Sequence, residues 1–168
     1  VNNVFRTTAI RISLHTLWPV AIGSPELTPD SIERLVSYAT RYAQTLGIAV
    51  YGVGGTNDHL HLLVDLPPTM TMQQMLDELQ RATARFLSEV LRMRGFAWAT
   101  EDTCLESIGP DQIAFVTDYI VENAAHHADG TTLEEWEFVQ TGETVSPDDE
   151  VPDWLRDVLP PSDSDGKE

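Results

Sequence analysis

His59 and His61 stand two residues apart in the run Asn57-Asp58-His59-Leu60-His61-Leu62. In a strand, alternation puts both imidazoles on one face, about 7 Å apart at the backbone, and turns Leu60 and Leu62 to the other. Neutral imidazoles are common metal ligands, and two on one face can share an ion. A His-x-His pair can equally be a structural pair of partly exposed histidines. Further along, Tyr119 and Asn123 are spaced i and i+4, which places them on one helical face, with His126 a turn beyond. A tyrosine hydroxyl has a reference pKa of about 10 and needs a base or a cation to act as a nucleophile. A divalent metal beside it would polarise a phosphate under attack and stabilise the developing charge. Asn123 would be a third ligand, through oxygen. Taken alone, Tyr119 also reads as an amphipathic residue at a helix–sheet seam. His126-His127 also reads as a solvated helix end, where histidine complements the dipole.

The elements that must position these residues follow from pattern. Residues 7–17 alternate and are β-branched, which predicts a strand. Residues 18–29 hold three prolines and predict a loop. Asp30 or Ser31 caps a helix with Ile32, Leu35, Val36, Ala39, Ala43 and Leu46 at helical spacing, ended by Gly47. Residues 48–56 and 59–66 predict two strands joined by a turn at Asn57-Asp58 and stopped by Pro67-Pro68. Thr71 opens a helix to about Arg92, residues 96–108 hold a fourth strand, and residues 110–127 form a last helix. The fold class is therefore α+β: a ferredoxin-like (RRM-like) β-α-β-β-α-β antiparallel sheet with a C-terminal tyrosine-bearing helix. Two segments are expected, a folded domain over 1–140 and an acidic, mostly flexible tail over 141–168, in which Trp154 and Leu155 dock at most locally.

The formal charge of −17 over 168 residues opposes a nucleic-acid partner, because such affinity comes largely from neutralised phosphates. The charge is uneven: residues 141–168 hold nine acids and two bases, and the first 140 hold 18 acids and eight arginines. Arg81, Arg85, Arg92 and Arg94 cluster in one stretch where Glu89 is the only acid. An acidic, lysine-poor surface fits a high-salt cytoplasm, where negative charge keeps a protein hydrated. It also fits an acidic protein with a partner other than nucleic acid. No apolar run approaches the roughly 18–20 residues of a membrane span. The N-terminus shows no signal pattern, so the expected location is cytoplasmic, with no membrane partner. The single Cys104 excludes an internal disulfide and a thiolate metal cluster.

The run from Asn57 to Val64 resembles the HUH signature (His, bulky hydrophobe, His) of the single-tyrosine transposases, the insertion-sequence and REP-associated enzymes. The helix over 72–87 is similar to the one that follows the motif in that family, with Arg81 and Arg85 at basic positions. Residues Tyr119 to His127 resemble its tyrosine helix, and His15 stands where the family often has a histidine. The resemblance spans roughly residues 7–138. It implies a metal-dependent transposase acting on single-stranded DNA with hairpin-containing element ends, and working as a homodimer in which the tyrosine helix often completes the partner's site. It implies Tyr119 as nucleophile, His59, His61 and Asn123 as ligands of Mg²⁺ or Mn²⁺, and Arg81, Arg85 and Arg92 as DNA contacts. The chain departs from the pattern twice. Asn123 replaces the family's metal-binding glutamine, and a glycine-containing stretch after the fourth-strand tryptophan is replaced by residues 99–107, which carry Glu101, Asp102 and Glu106. The alternatives are a repurposed or inactive nucleic-acid-binding module of the same fold, and a small metal-dependent phosphohydrolase.

Composition gives the first testable expectation. Deleting residues 141–168 leaves cooperative thermal melting intact, because the segment has little apolar surface to contribute. Loss of a cooperative transition on truncation would show that the tail docks on the domain.

Overall fold

The structure, a computed structural model, describes residues 11–138; the tail over 141–168, with Trp154 and Leu155, lies outside the described residues. The described chain runs β1 (Ser13–Pro19), α1 (Pro29–Thr45), β2 (Ala49–Gly55), β3 (His59–Asp65), α2 (Met72–Arg85), β4 (Cys104–Ile108), α3 (Ile113–Val121) and α4 (Asn123–Asp129). The four strands form one sheet in the order β2-β3-β1-β4, every neighbour antiparallel. This is the expected α+β, ferredoxin-like arrangement.

Strand alternation divides the molecule into two cores. Leu60, Leu62 and Val64 of β3, with Leu14 and Trp18 of β1, meet Leu35 of α1 and Met75 and Leu79 of α2 on one face. Leu63 faces the other way and meets Val116, Tyr119 and Ile120 of α3, with Trp136 from the segment after α4. His59 and His61 share that second face. Two helices therefore cover the larger core, and the tyrosine helix lies over the histidines.

Local chemistry explains where the elements start and stop. Thr28, rather than Asp30 or Ser31, caps α1: its hydroxyl accepts from the Ser31 N–H, and the Ser31 hydroxyl accepts from the Thr28 N–H, with Pro29 in the first turn. Thr71 and Gln74 repeat the device at α2. β1 runs on to Pro19, into the expected loop, because Trp18 is fully buried and its indole N–H donates to the Thr16 hydroxyl at 2.9 Å. The Pro19 carbonyl then accepts from the Ala99 N–H at 2.8 Å. β4 is shorter than expected: a bridge pairs Val20 with Trp98, a 3-10 turn covers Thr100–Asp102, and only Cys104–Ile108 joins the ladder.

Two expected helices are interrupted. α2 gives way after Arg85 to a π turn over Phe86–Val90, and the chain then passes through a left-handed Arg92 at φ 62°. The wider turn lets Leu87 enter the core while Phe86 stacks on Tyr38 at 4.2 Å. The last helix, expected unbroken from 110 to 127, bends at Glu122 (φ −96°, ψ 8°) into α3 and α4.

α3 approaches β2 closely because β2 carries glycines there. A Cβ on Gly54 would overlap the backbone carbonyl of Ile120, whereas one on Gly52 would meet its nearest atom at 3.4 Å. Gly54→Ala is therefore expected to cost roughly 1–3 kcal/mol in denaturant unfolding, by lifting the tyrosine helix, with Gly52→Ala costing clearly less. Equal costs for the two would show that the helix does not depend on this approach.

Candidate active site

His59 is positioned by the β2–β3 turn. The Thr56 hydroxyl donates to Asp58 Oδ1 at 2.6 Å, and His59 Nδ1 lies 2.7 Å from the same oxygen. Burial pushes the Asp58 carboxyl up, but the Thr56 and His59 hydrogen bonds outweigh it and hold the group below its ordinary value. An ionised carboxylate only accepts, so His59 Nδ1 carries a proton, and Nε2 is the ring atom that faces the site. That Nε2 lies 3.2 Å from Asn123 Oδ1. The Asn123 amide is oriented by its other end, since Nδ2 donates to Glu137 Oε1 at 2.9 Å.

His61 is wholly buried. Its Nδ1 lies 2.9 Å from His15 Nε2, and the two rings stack at 5.2 Å. Its Nε2 faces Glu137 Oε2 at 3.4 Å without hydrogen-bond geometry, which leaves that nitrogen unpartnered. Burial, then the neighbouring His61, hold His15 down at about 3. Burial also lowers His61, against the pull of Glu137. Both rings are therefore neutral at physiological pH.

Glu137 sits where these groups meet. Its Oε2 lies 3.5 Å from His59 Nε2, 3.4 Å from His61 Nε2 and 3.3 Å from His127 Nε2. Its Oε1 accepts from the Tyr119 hydroxyl and from Asn123. Burial would raise this carboxyl; the facing His61 imidazole, the Tyr119 hydrogen bond and the neighbouring His59 outweigh it and hold the group well below its ordinary range. Tyr119 is 3% exposed. Burial first, then the Glu137 acceptor, push its hydroxyl up to about 12, against the Leu133 N–H and Asn123. The Leu133 N–H donates to Tyr119 Oη at 3.2 Å.

This donor set fits a cation. His59 Nε2, Asn123 Oδ1 and Glu137 Oε2 converge on one point of the site. His61 adds an unpartnered buried nitrogen. His59, His127 and Glu137 each offer a ligand atom, all within 4.8 Å of one another. Mixed imidazole and oxygen donors suit a divalent transition ion better than magnesium.

The structure thus brings together His59, His61, Asn123 and Tyr119. It does not bring in the arginines. Arg81 and Arg85 lie on α2, on the other side of the sheet, where Arg81 Nη2 pairs with Glu78 at 2.5 Å and Arg85 Nε with Glu89 at 2.9 Å; Arg92 sits in the left-handed turn beyond the π segment. Glu106 pairs across strands with His15, and burial followed by Glu135 raises its carboxyl. The bend at Glu122 changes which histidine enters the site. His126 stacks on Tyr119 at 4.8 Å and contacts Thr131 Oγ1 at 3.0 Å, whereas His127 reaches Glu137. Glu137 and His127 had not been singled out from sequence as ligands. The available signal was Trp136, a lone tryptophan among acids: it is 4% exposed, and its docking beside His15 carries Glu137 inward.

The neutral histidines set a pH dependence. His15 has a lower pKa folded than unfolded, so the unfolded chain binds more protons below the ordinary value of 6.5. Stability is full above pH 6.5 and falls as pH drops towards 3, by up to about 1.4 kcal/mol per pH unit for this one group. Urea melts of the metal-free protein between pH 7 and 5 should show the decline, and His15→Phe should flatten it. An unchanged slope in the variant would contradict the assignment.

Among the described residues, no helix is long and apolar enough to cross a membrane. The search of curated proteins gave no match. In fold, the chain is similar to a proposed transposase from Deinococcus radiodurans R1, at 19% identity and a TM-score of 0.54 over 70% of this chain and 94% of that one. It is also similar to a REP-associated tyrosine transposase bound to a REP hairpin, at 13% identity and a TM-score of 0.53 over 76% of this chain and 74% of that one. The family model described as "Transposase IS200 like" matches residues 8–123, more than half of the chain, so the protein belongs to the IS200-like transposase family and is a DNA-processing enzyme by family.

Proposed function

We propose that the chain is a metal-dependent single-strand DNA transposase that cuts and rejoins through a phosphotyrosine at Tyr119. The observation that carries this reading is the convergence on Glu137: one carboxylate touches the tyrosine hydroxyl through one oxygen and faces three imidazoles through the other. Nucleophile and cation site are thus adjacent. His59, His61 and Asn123 hold the ion in this reading, and His127 and Glu137 join them. A bound Mn²⁺ or Mg²⁺ would polarise the scissile phosphate and stabilise its developing charge.

The chain's own residues do the rest. Asp58 keeps the His59 lone pair aimed inward, and His15 fixes the His61 ring. Tyr119 Oη bonds to phosphorus, and the bond from phosphorus to the 3′ oxygen breaks. The tyrosine proton ends, in net balance, on the released 3′-hydroxyl. Attack by a second 3′-hydroxyl reverses the exchange and rejoins the strand, so no nucleotide cofactor is consumed. Since Tyr119 at rest has a raised pKa and is capped by Glu137 and Leu133, residues 133–137 must yield before phosphate reaches it. Hairpin-containing single strands are the proposed substrate, with support from the hairpin held by the REP-associated neighbour. Arg81, Arg85 and Arg92 remain the proposed DNA contacts, once Glu78 and Glu89 release the first two. The sheet's outer strands, β2 and β4, each pair on one side only, which supports a two-fold homodimer.

The test is a covalent adduct on a denaturing gel, using a panel of hairpin-tailed single strands with Mn²⁺. Wild type should form it and Tyr119→Phe should not. His59→Ala and His61→Ala should lose at least about tenfold to a hundredfold in Mn²⁺ affinity and lose the adduct, with the fold retained. Cutting without an adduct would favour a phosphohydrolase. Binding with neither would favour a non-catalytic module, which the acidic 99–107 stretch supports. Unchanged Mn²⁺ affinity in both histidine variants would overturn the metal site.

A further inference from the structure

We infer that the cleft beside His127 receives one unstacked nucleobase of the single strand, from a nucleotide flanking the phosphate presented to Tyr119. The inference rests on the strand-cutting reading above and adds to it a specificity site.

The cleft has a volume of about 590 Å³, within the roughly 300–1,000 Å³ of small-molecule sites. It lies where the loop before α1, the β2–β3 turn and α4 meet, and a hydrogen bond from the Leu27 N–H to the Asn57 carbonyl at 2.8 Å ties the first two together. α4 contributes Ala124 and Ala128, one turn apart on the same side, and their small side chains leave the space open. α4 also contributes His127, the same imidazole that stands 3.3 Å from Glu137 Oε2. The cleft therefore begins where the cation cluster ends. A group bound there is next to whatever occupies the cluster.

The chemistry of the walls selects the occupant. Leu27 and Ile32 are apolar. Among the described residues, no lysine or arginine lines the cleft, and its one carboxylate is Glu33. A phosphate is unwelcome there. The uncharged part of a nucleotide is its base, with apolar faces and a polar edge, and proteins that read single strands or extruded bases hold them in such pockets. The edge partners are acceptors. The Asn57 amide nitrogen is spent on Glu26 Oε2 at 3.1 Å, which leaves its oxygen, and Glu33 adds a carboxylate. Both match the amino groups of adenine, cytosine and guanine; thymine has none.

Two measurements on the same oligonucleotides separate this inference from the reading beneath it. The probe is a fluorescent hairpin-tailed single strand in which each tail position in turn is replaced by an abasic residue. Binding is read by anisotropy in a Tyr119→Phe background, which needs no catalysis. Adduct formation is read with wild type. One abasic position next to the cut should weaken binding on the order of tenfold; thymine there should bind less well than adenine or cytosine. Ala128→Phe, which fills the cleft from an exposed helix position, should weaken the intact strand to a similar degree and make the abasic change nearly silent. If adducts form but no abasic position couples to Ala128→Phe, the base site is wrong while the transposase reading stands. If a position couples but no adduct forms, the base site stands and the cutting mechanism falls. If no strand binds, both fall.

Discussion

A half-buried carboxylate in a low-dielectric site needs hydrogen-bond donors or positive charge, and Glu137 finds its donors only where it is. Tyr119 and Asn123 donate to one oxygen, and three imidazole nitrogens stand around the other. Move the carboxylate and Tyr119 loses its acceptor, Asn123 its orientation and the imidazoles their anion. The sheet supplies His59 and His61, α3 supplies Tyr119, α4 supplies Asn123 and His127, and the segment after α4 supplies Glu137. The glycines of β2 permit this by letting α3 lie against the strand. Trp136 anchors the last segment in the smaller core.

The same constraint explains the charge states. A proton shared between Glu137 and Tyr119 belongs to the tyrosine, because the carboxyl is held low and the phenol is pushed up to about 12. His15 and His61 are kept neutral by burial, and the Nδ1 of His61 is taken up by His15, which leaves His61 Nε2 facing the site. Imidazole nitrogens, an amide oxygen and one carboxylate converge there, a donor set that suits a divalent cation. An overall charge of −17 is unusual for a protein that handles DNA, and the α2 arginines are paired with glutamates in this state. Recognition of a base by a cleft beside the site would lessen the dependence on phosphate neutralisation.

Much of this was legible in the sequence. Alternation around His59 and His61 fixed their shared face, and capping residues with apolar spacing located α1 and α2. Other features depended on tertiary contacts that a periodic pattern does not carry. Nothing near Arg85 announces a π turn; it follows from the burial of Leu87 and the stacking of Phe86 on Tyr38. An unbroken last helix was expected because residues 113–127 contain no proline or glycine, yet the chain bends at Glu122 where α4 leaves the sheet. That bend moved His127, rather than His126, into the cluster. Glu137 was invisible for a related reason: one acid among several becomes special only when a neighbouring tryptophan docks.

We propose that each site is completed within one chain, its own Tyr119 against its own histidines. Mixing two inactive variants tests this directly. Tyr119→Phe protein keeps the histidines, and His59→Ala protein keeps the tyrosine. Co-expressed, they should give no DNA adduct, since every site assembled within one chain lacks one component. Recovery of adduct to roughly a quarter of the wild-type level, as random pairing of subunits with shared sites would give, would contradict it.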